Sequence, residues 1–203
     1  MKKVALLFTL VLCVGALNGM EAQNIGNLPT DIHNEMIRLA FATSDNLLDT
    51  IKAFQFASAL RGIPYDNLKD FTNLVHILAN KFKTTNQVVA ENFNTPTAKN
   101  YINLGKQLVE LISRPNAGNT IKIIQLIEKN GADVNYSNST GSLLSKAIQS
   151  WNVESVKLLL EYGAKQQPGN LPYIQAKLRQ DPKNQKAKII EQLLIDAMQK
   201  QQK

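Results

Sequence analysis

The 203-residue chain is nearly without thiol chemistry, since Cys13 is its only cysteine. One cysteine cannot build a disulfide framework or a thiolate zinc site. Histidine is almost as scarce. His33 and His76 each lack an acidic or histidine partner at four-residue spacing, and Glu35, two residues from His33, diverges from it on a helix. Asp66 and Asp70 are four apart, but carboxylates beside a turn ordinarily face solvent and make no acid–base pair. The chain also lacks a Gly-rich phosphate loop, a Gly-x-Ser-x-Gly elbow and a P-loop. Neither an enzyme nor a cofactor nor a metal is therefore expected. With only seven Pro and ten Gly, and 44% hydrophobic residues, the composition excludes disorder over most of the chain and allows a real core.

What is present begins at the N-terminus. Lys2 and Lys3 precede an uncharged apolar run from Val4 to Leu17, followed by small and polar residues through Gln23. That order reads as a secretory signal over residues 1–22, with Gly19 or Ala22 as the cut site. The run is too short for a comfortable permanent span, and no later stretch is long and apolar enough. The reading predicts export through the Sec pathway, to the periplasm or outside, with Cys13 lost on the way. Losing Lys2, Lys3 and Glu21 lowers the formal charge from +7 to +6. Most of that excess sits in the tail. From Lys177 onward seven basic residues face only Asp181, Glu191 and Asp196. Such a tail predicts a solvated helix face, with attachment to anionic lipid or nucleic acid as the alternative. No aromatic residue interleaves the charges after Tyr173, so a stacking platform for single-stranded nucleic acid is missing.

Helical periodicity dominates the rest, and no strand pattern stands out. Ile32, Met36, Leu39 and Ala40 share one face of a segment opened by Leu28-Pro29-Thr30. Ser44 is placed to cap a second helix facing inward through Leu47, Ile51 and Phe54. "RGIPYDN" reads as a turn. Leu68, Phe71, Val75, Leu78 and Phe82 then repeat at helical steps, and after "KTTNQ" come Val88, Val89 and Phe93. Thr95 and Pro96 open a helix burying Ile102, Leu108, Leu111 and Ile112, which should stop at Arg114-Pro115. "RPNAGNT" is read as a loop.

Beyond it the chain repeats itself. "LIEKNGADVN" and "LLLEYGAKQQ" each place Gly-Ala after a Leu-rich helix end, 32 residues apart. From Gly141 the chain runs G-S-L-L-S-K-A-I-Q-S-W-N-V-E-S-V-K-L-L-L-E-Y-G-A, and this resembles an ankyrin repeat. Ser142, Leu143, Leu144 and Ser145 stand where the family has Thr-Pro-Leu-His. Ala147 and Ile148 take the small-residue pair, Trp151 replaces the turn glycine, and Val156, Leu159 and Leu160 fill the second helix's stripe. Each glycine supplies a left-handed helix end. Asn152 and Thr120 occupy capping places ahead of the second helices. The preceding unit keeps Ile121, Ile124 and Ile127 before Gly131-Ala132-Asp133-Val134-Asn135. A looser third unit has Pro172, Tyr173, Ile174 and Ala176, then Ile189, Ile190, Leu193 and Leu194, and reads as a terminal cap.

The resemblance implies an all-α protein: a helical N-terminal region over 24–94 packed on a short ankyrin solenoid over 97–200. It also implies non-catalytic binding to a protein partner, with a host protein as one candidate. The family's contact surface maps onto Asp133, Asn135, Tyr136, Asn138, Ser142, Lys146, Gln149 and Trp151. "LPTDIHNEMIRLA" followed by "SDNLLDTIKAF" is in turn similar to the opening of an F-box. Leu28, Pro29, Asp31, Ile32, Leu47 and Leu48 are the matching residues, which implies as an alternative an adaptor for a ubiquitin ligase. Asn135-Tyr136-Ser137 and Asn138-Ser139-Thr140 fit the glycosylation acceptor pattern, read here as turn chemistry.

Overall fold

The computed structural model describes residues 45–61, 67–114 and 116–201. The signal-like segment, the helix expected around Ile32 to Ala40 and residues 62–66 of the turn expected over Arg61 to Asn67 lie outside these residues. The described residues are mostly helical and carry nine α-helices and one two-stranded ladder. They fall into two compact units. The first holds the described residues up to Thr84 together with Val88–Lys99; the second holds Thr85–Gln87 and the described residues from Asn100 on.

In the first unit, α1 (Leu47–Arg61) is started by Asn46, whose Oδ1 accepts the Leu48 N–H at 2.8 Å. Ser44, expected to cap here, lies outside the described residues. Ile51 and Phe54 are buried and Leu47 half-buried. Helix α2 (Leu68–Phe82) buries Phe71, Leu74, Val75, Leu78 and Ala79, a stripe shifted from the expected one because Leu68 and Phe82 sit at the half-buried ends. Lys83 ends it in the left-handed region at φ 51°. Phe71 meets Phe93 edge to face at 5.2 Å between ring centres, and Gln55 Nε2 donates to the Phe93 carbonyl at 2.9 Å. These contacts close the unit around an aromatic pair. Helix α3 (Asn86–Glu91) has its first two residues in the second unit and the others in the first.

Helix α4 (Pro96–Ser113) opens as the sequence predicts, with Thr95 Oγ1 accepting the Ala98 N–H at 3.1 Å. It ends just ahead of Arg114-Pro115. In the second unit it buries Tyr101, Leu104, Leu108 and Ile112, while Ile102 and Leu111 are only half-buried.

The expected loop at 114–120 is much shorter than its composition suggests. Helix α5 (Ala117–Glu128) begins within it, capped by Asn116, which accepts the Gly118 N–H at 3.0 Å. Thr120, assigned as the cap, is inside the helix. Starting there rotates the stripe: Ile123 is buried, Ile124 and Ile127 are half-buried, and Ile121 is 63% exposed. A run with isoleucine at 121, 123, 124 and 127 is compatible with two registers, and only the packing selects one.

Gly131 (φ 71°), after α5, and Gly163 (φ 82°), after a later helix, adopt the left-handed conformation that glycine reaches without penalty. The N–H of Ala132 returns to the Leu126 carbonyl and that of Ala164 to Leu159, both at 2.9 Å. A two-residue ladder, β1 (Ser137–Asn138) against β2 (Gly141–Ser142), follows the first of these ends. No sequence pattern announces it, since two residues give no alternation to detect. Ser142 then caps α6 (Leu143–Gln149) by accepting the Ser145 N–H, and Ser145 Oγ donates to Asn170 Oδ1 at 2.8 Å. Trp151 takes φ 56° at the turn into α7 (Val153–Glu161), where a glycine would sit without strain. A side chain held there costs about 1–2 kcal/mol.

Asn152 serves two helices. Its Oδ1 accepts the Ser155 N–H at 3.1 Å as the cap of α7, and its Nδ2 donates to the Ile112 carbonyl at 3.2 Å, at the end of α4. Asn152→Ala is expected to lower the unit's stability by about 2 kcal/mol, combining a lost cap with a weakened buried carbonyl. Asn152→Asp restores the cap but not the donor, so it should recover only part of that loss. Urea titration of both variants measures the split.

Helices α8 (Asn170–Gln180) and α9 (Gln185–Gln201) complete the unit. Helix α6 packs on α7 and α8 on α9; α5, α7 and α9 touch in succession, as do α6 and α8. The seating of α9 differs from the expected stripe: Ala187, Ile190 and Leu194 are buried, whereas Ile189 is 47% exposed. Ala176 on α8 is exposed.

Candidate functional site

The turn that follows α5 is built on a buried polar network. Gly131 reverses the chain, and Asp133 is placed so that its Oδ1 accepts the Asn135 N–H at 2.8 Å. The Oδ2 of the same carboxylate accepts the Tyr101 hydroxyl at 2.7 Å and the Asn86 amide at 3.4 Å. Asn86 Nδ2 also donates to the Asn135 carbonyl at 3.0 Å, and the Asn86 N–H donates to Ser137 Oγ at 3.1 Å. Tyr136 is fully buried. Its hydroxyl donates to Gln87 Oε1 at 2.9 Å, and its ring lies 5.7 Å from that of Tyr101. Under the ring sits Gly105 of α4, where a Cβ would come within 2.4 Å of Cδ2 and Cε2. Asn135 Oδ1 accepts the Lys165 N–H at 2.7 Å, tying this turn to the next one.

Burial, and after it the charge and hydrogen bond of Asp133, push the Tyr101 phenol well above its ordinary value of 10.0. The folded chain therefore keeps this proton while the unfolded chain releases it above about pH 10. Stability from this group is complete below that pH and declines by about 1.4 kcal/mol per unit above it. Tyr101→Phe should cost about 1–2 kcal/mol at neutral pH and flatten the alkaline decline, so denaturant midpoints of variant and wild type should converge between about pH 8 and 11.

The residues assigned to a contact surface divide sharply. Tyr136 is corrected outright, because a fully buried ring has no surface to offer a partner. Ser142 is buried as a cap, and the half-buried Asp133 and Asn135 spend their side chains on the network. Asn138 is half-buried at the ladder's tip, its Oδ1 accepting the Thr140 N–H at 2.9 Å. On and after α6, Gln149 is exposed, and Lys146 and Trp151 are half-buried. Of the F-box-like set, Leu28, Pro29, Asp31 and Ile32 lie outside the described residues; Leu47 is half-buried and Leu48 exposed at the start of α1. Both acceptor tripeptides serve the turn, Asn135 through Lys165 and Asn138 through Thr140.

Sequence reasoning missed Asn86, Gln87, Tyr101 and Gly105. No local pattern marks them, since their partners lie 31 to 51 residues away. It also missed a groove of about 410 Å³ in the second unit, between Gln107, Glu110 and Leu111 of α4 and Lys122, Gln125, Leu126 and Asn130 on and beyond α5. Leucines form its apolar part, amides and one charge of each sign the rest. Among the described residues no cluster of three His, Cys, Asp or Glu could hold a metal, and no helix is long and apolar enough to cross a membrane. Set against protein-family models, curated proteins and solved structures, the chain matches none.

Proposed function

We propose that the second unit is a short ankyrin-type stack and that the protein, exported from the cell that makes it, binds another protein without catalysis. The observation that carries this reading is the paired use of Gly131 and Gly163: both end a helix in the left-handed conformation, and both are followed by a turn leading into a new helix. The succession α5–α7–α9, beside α6 and α8, supports it further, because stacked hairpins bury their stripes only against the neighbouring repeat. With Tyr136 inside, the surface available to a partner is Asn138 at the ladder tip with Lys146, Gln149 and Trp151. Trp151 is the natural anchor, since aromatic side chains dominate binding energy at interfaces and this one is held in a strained backbone.

The test is affinity capture with the chain lacking residues 1–22, comparing wild type with a Lys146→Glu/Gln149→Ala variant whose folding is confirmed by circular dichroism. A partner retained by wild type and lost by the variant supports the reading. An identical captured set for both removes this surface from consideration.

A further inference from the structure

Helix α9 carries an exposed stripe that neither its own seating nor the inter-repeat turn uses. Across the α8–α9 hairpin six basic residues (Lys177, Arg179, Lys183, Lys186, Lys188 and Lys200) outnumber Asp181, Glu191 and Asp196. The helix is seated through Ala187, Ile190 and Leu194. Steps of three, four and seven residues place Lys186, Ile189, Leu193 and Lys200 together along an adjoining face. Lys186, Ile189 and Lys200 are exposed, and Leu193 is half-buried. Asp196 borders the stripe and accepts a hydrogen bond from Gln192 Nε2 at 2.8 Å. On α8 the exposed Tyr173 ring lies 5.8 Å from the Lys177 ammonium, a second pairing of apolar body and cation.

A purely solvated face would gain nothing from an isoleucine between lysines. A polyanion such as nucleic acid rewards the lysines but leaves Ile189 idle. A bilayer with anionic headgroups rewards both, since apolar side chains enter the headgroup boundary while the cations meet phosphates. We propose that the Lys186–Ile189–Leu193–Lys200 stripe of α9 docks the protein on an anionic lipid surface. Lys177 and Arg179 on α8 and Lys183 in the turn add to the field that draws the hairpin there. This inference is independent of the partner-binding reading, which concerns the turns and α6.

The experiment is co-sedimentation of the chain lacking residues 1–22 with phosphatidylcholine vesicles that either contain or lack phosphatidylglycerol. Binding is expected only to the anionic vesicles, and it should weaken steeply as salt is raised. Each lysine near an anionic surface multiplies affinity about fivefold, so Lys186→Glu/Lys200→Glu should weaken binding by about 25-fold or more, the effect of at least two such losses. Ile189→Ser should weaken it about fivefold through lost apolar insertion, with less change in the salt response. Lys106→Glu, an exposed lysine on α4, should leave it unchanged. All these side chains are exposed, so the variants should melt like wild type. Equal binding to both vesicle types, no binding to either, or equal losses for Lys106→Glu and the α9 lysines would each overturn the proposal. Binding to duplex DNA that ignores Ile189→Ser, with none to vesicles, would reassign the stripe to a polyanion and overturn it too.

Discussion

Gly105→Ala is expected to destabilise the second unit by about 2–3 kcal/mol, although glycine to alanine inside a helix ordinarily gains about 1 kcal/mol. The reversal comes from Tyr136. A methyl at position 105 would lie 2.4 Å from two ring carbons and 2.6 Å from a third. The ring cannot step aside, because it is fully buried, bonded through its hydroxyl to Gln87 and set against Tyr101. Either α4 shifts or the turn after α5 does, and both strain the Asp133 network. Gly118→Ala is the internal control. Its new methyl would find only Asn116 Oδ1, at 3.8 Å, so up to about 1 kcal/mol of helix preference should appear as a gain. Trp151 is the chain's sole tryptophan and lies in this unit, so its fluorescence during urea unfolding reports on the two substitutions directly. A Gly105→Ala protein as stable as wild type would mean that the ring has room the structure denies it.

Tyr136→Ala should be costlier still, at about 3–5 kcal/mol. The substitution empties a site lined by Tyr101 and Gly105 and takes away the hydroxyl whose hydrogen bond Gln87 accepts. A loss of that size approaches the whole stability of a small unit, typically about 5–15 kcal/mol. Any binding lost in this variant therefore reports unfolding, not a missing contact. Tyr136→Phe keeps the ring and should cost only about 1 kcal/mol. The two effects should also be coupled: Gly105→Ala in the Tyr136→Ala background loses its clash and becomes neutral or favourable. A double-mutant cycle read by Trp151 fluorescence measures that coupling, and simple additivity would refute the close approach.

Several elements are legible in the linear order of residues. Arg114-Pro115 stops α4 because proline excludes helical geometry in the residue before it. Thr95 and Asn152 cap helices because a short side-chain acceptor reaches an otherwise unpaired N–H. Gly131 and Gly163 turn the chain because they have no Cβ to obstruct the left-handed conformation. Each cause acts within four or five residues, so each leaves a local mark.

The same reasoning fails where the deciding neighbour is distant. Tyr136 sits in a polar, Asn-rich turn and reads as an exposed aromatic; only the approach of Gly105, Tyr101, Asn86 and Gln87 makes it a core residue. Ile121 and Ile123 are indistinguishable as letters, and the face that α5 turns inward selects the second. Helix ends and breakers were determined by the sequence alone, because local sterics and capping need no partner. Which apolar and polar groups are inside was decided only by tertiary structure, because burial belongs to the surface that arrives from elsewhere in the chain.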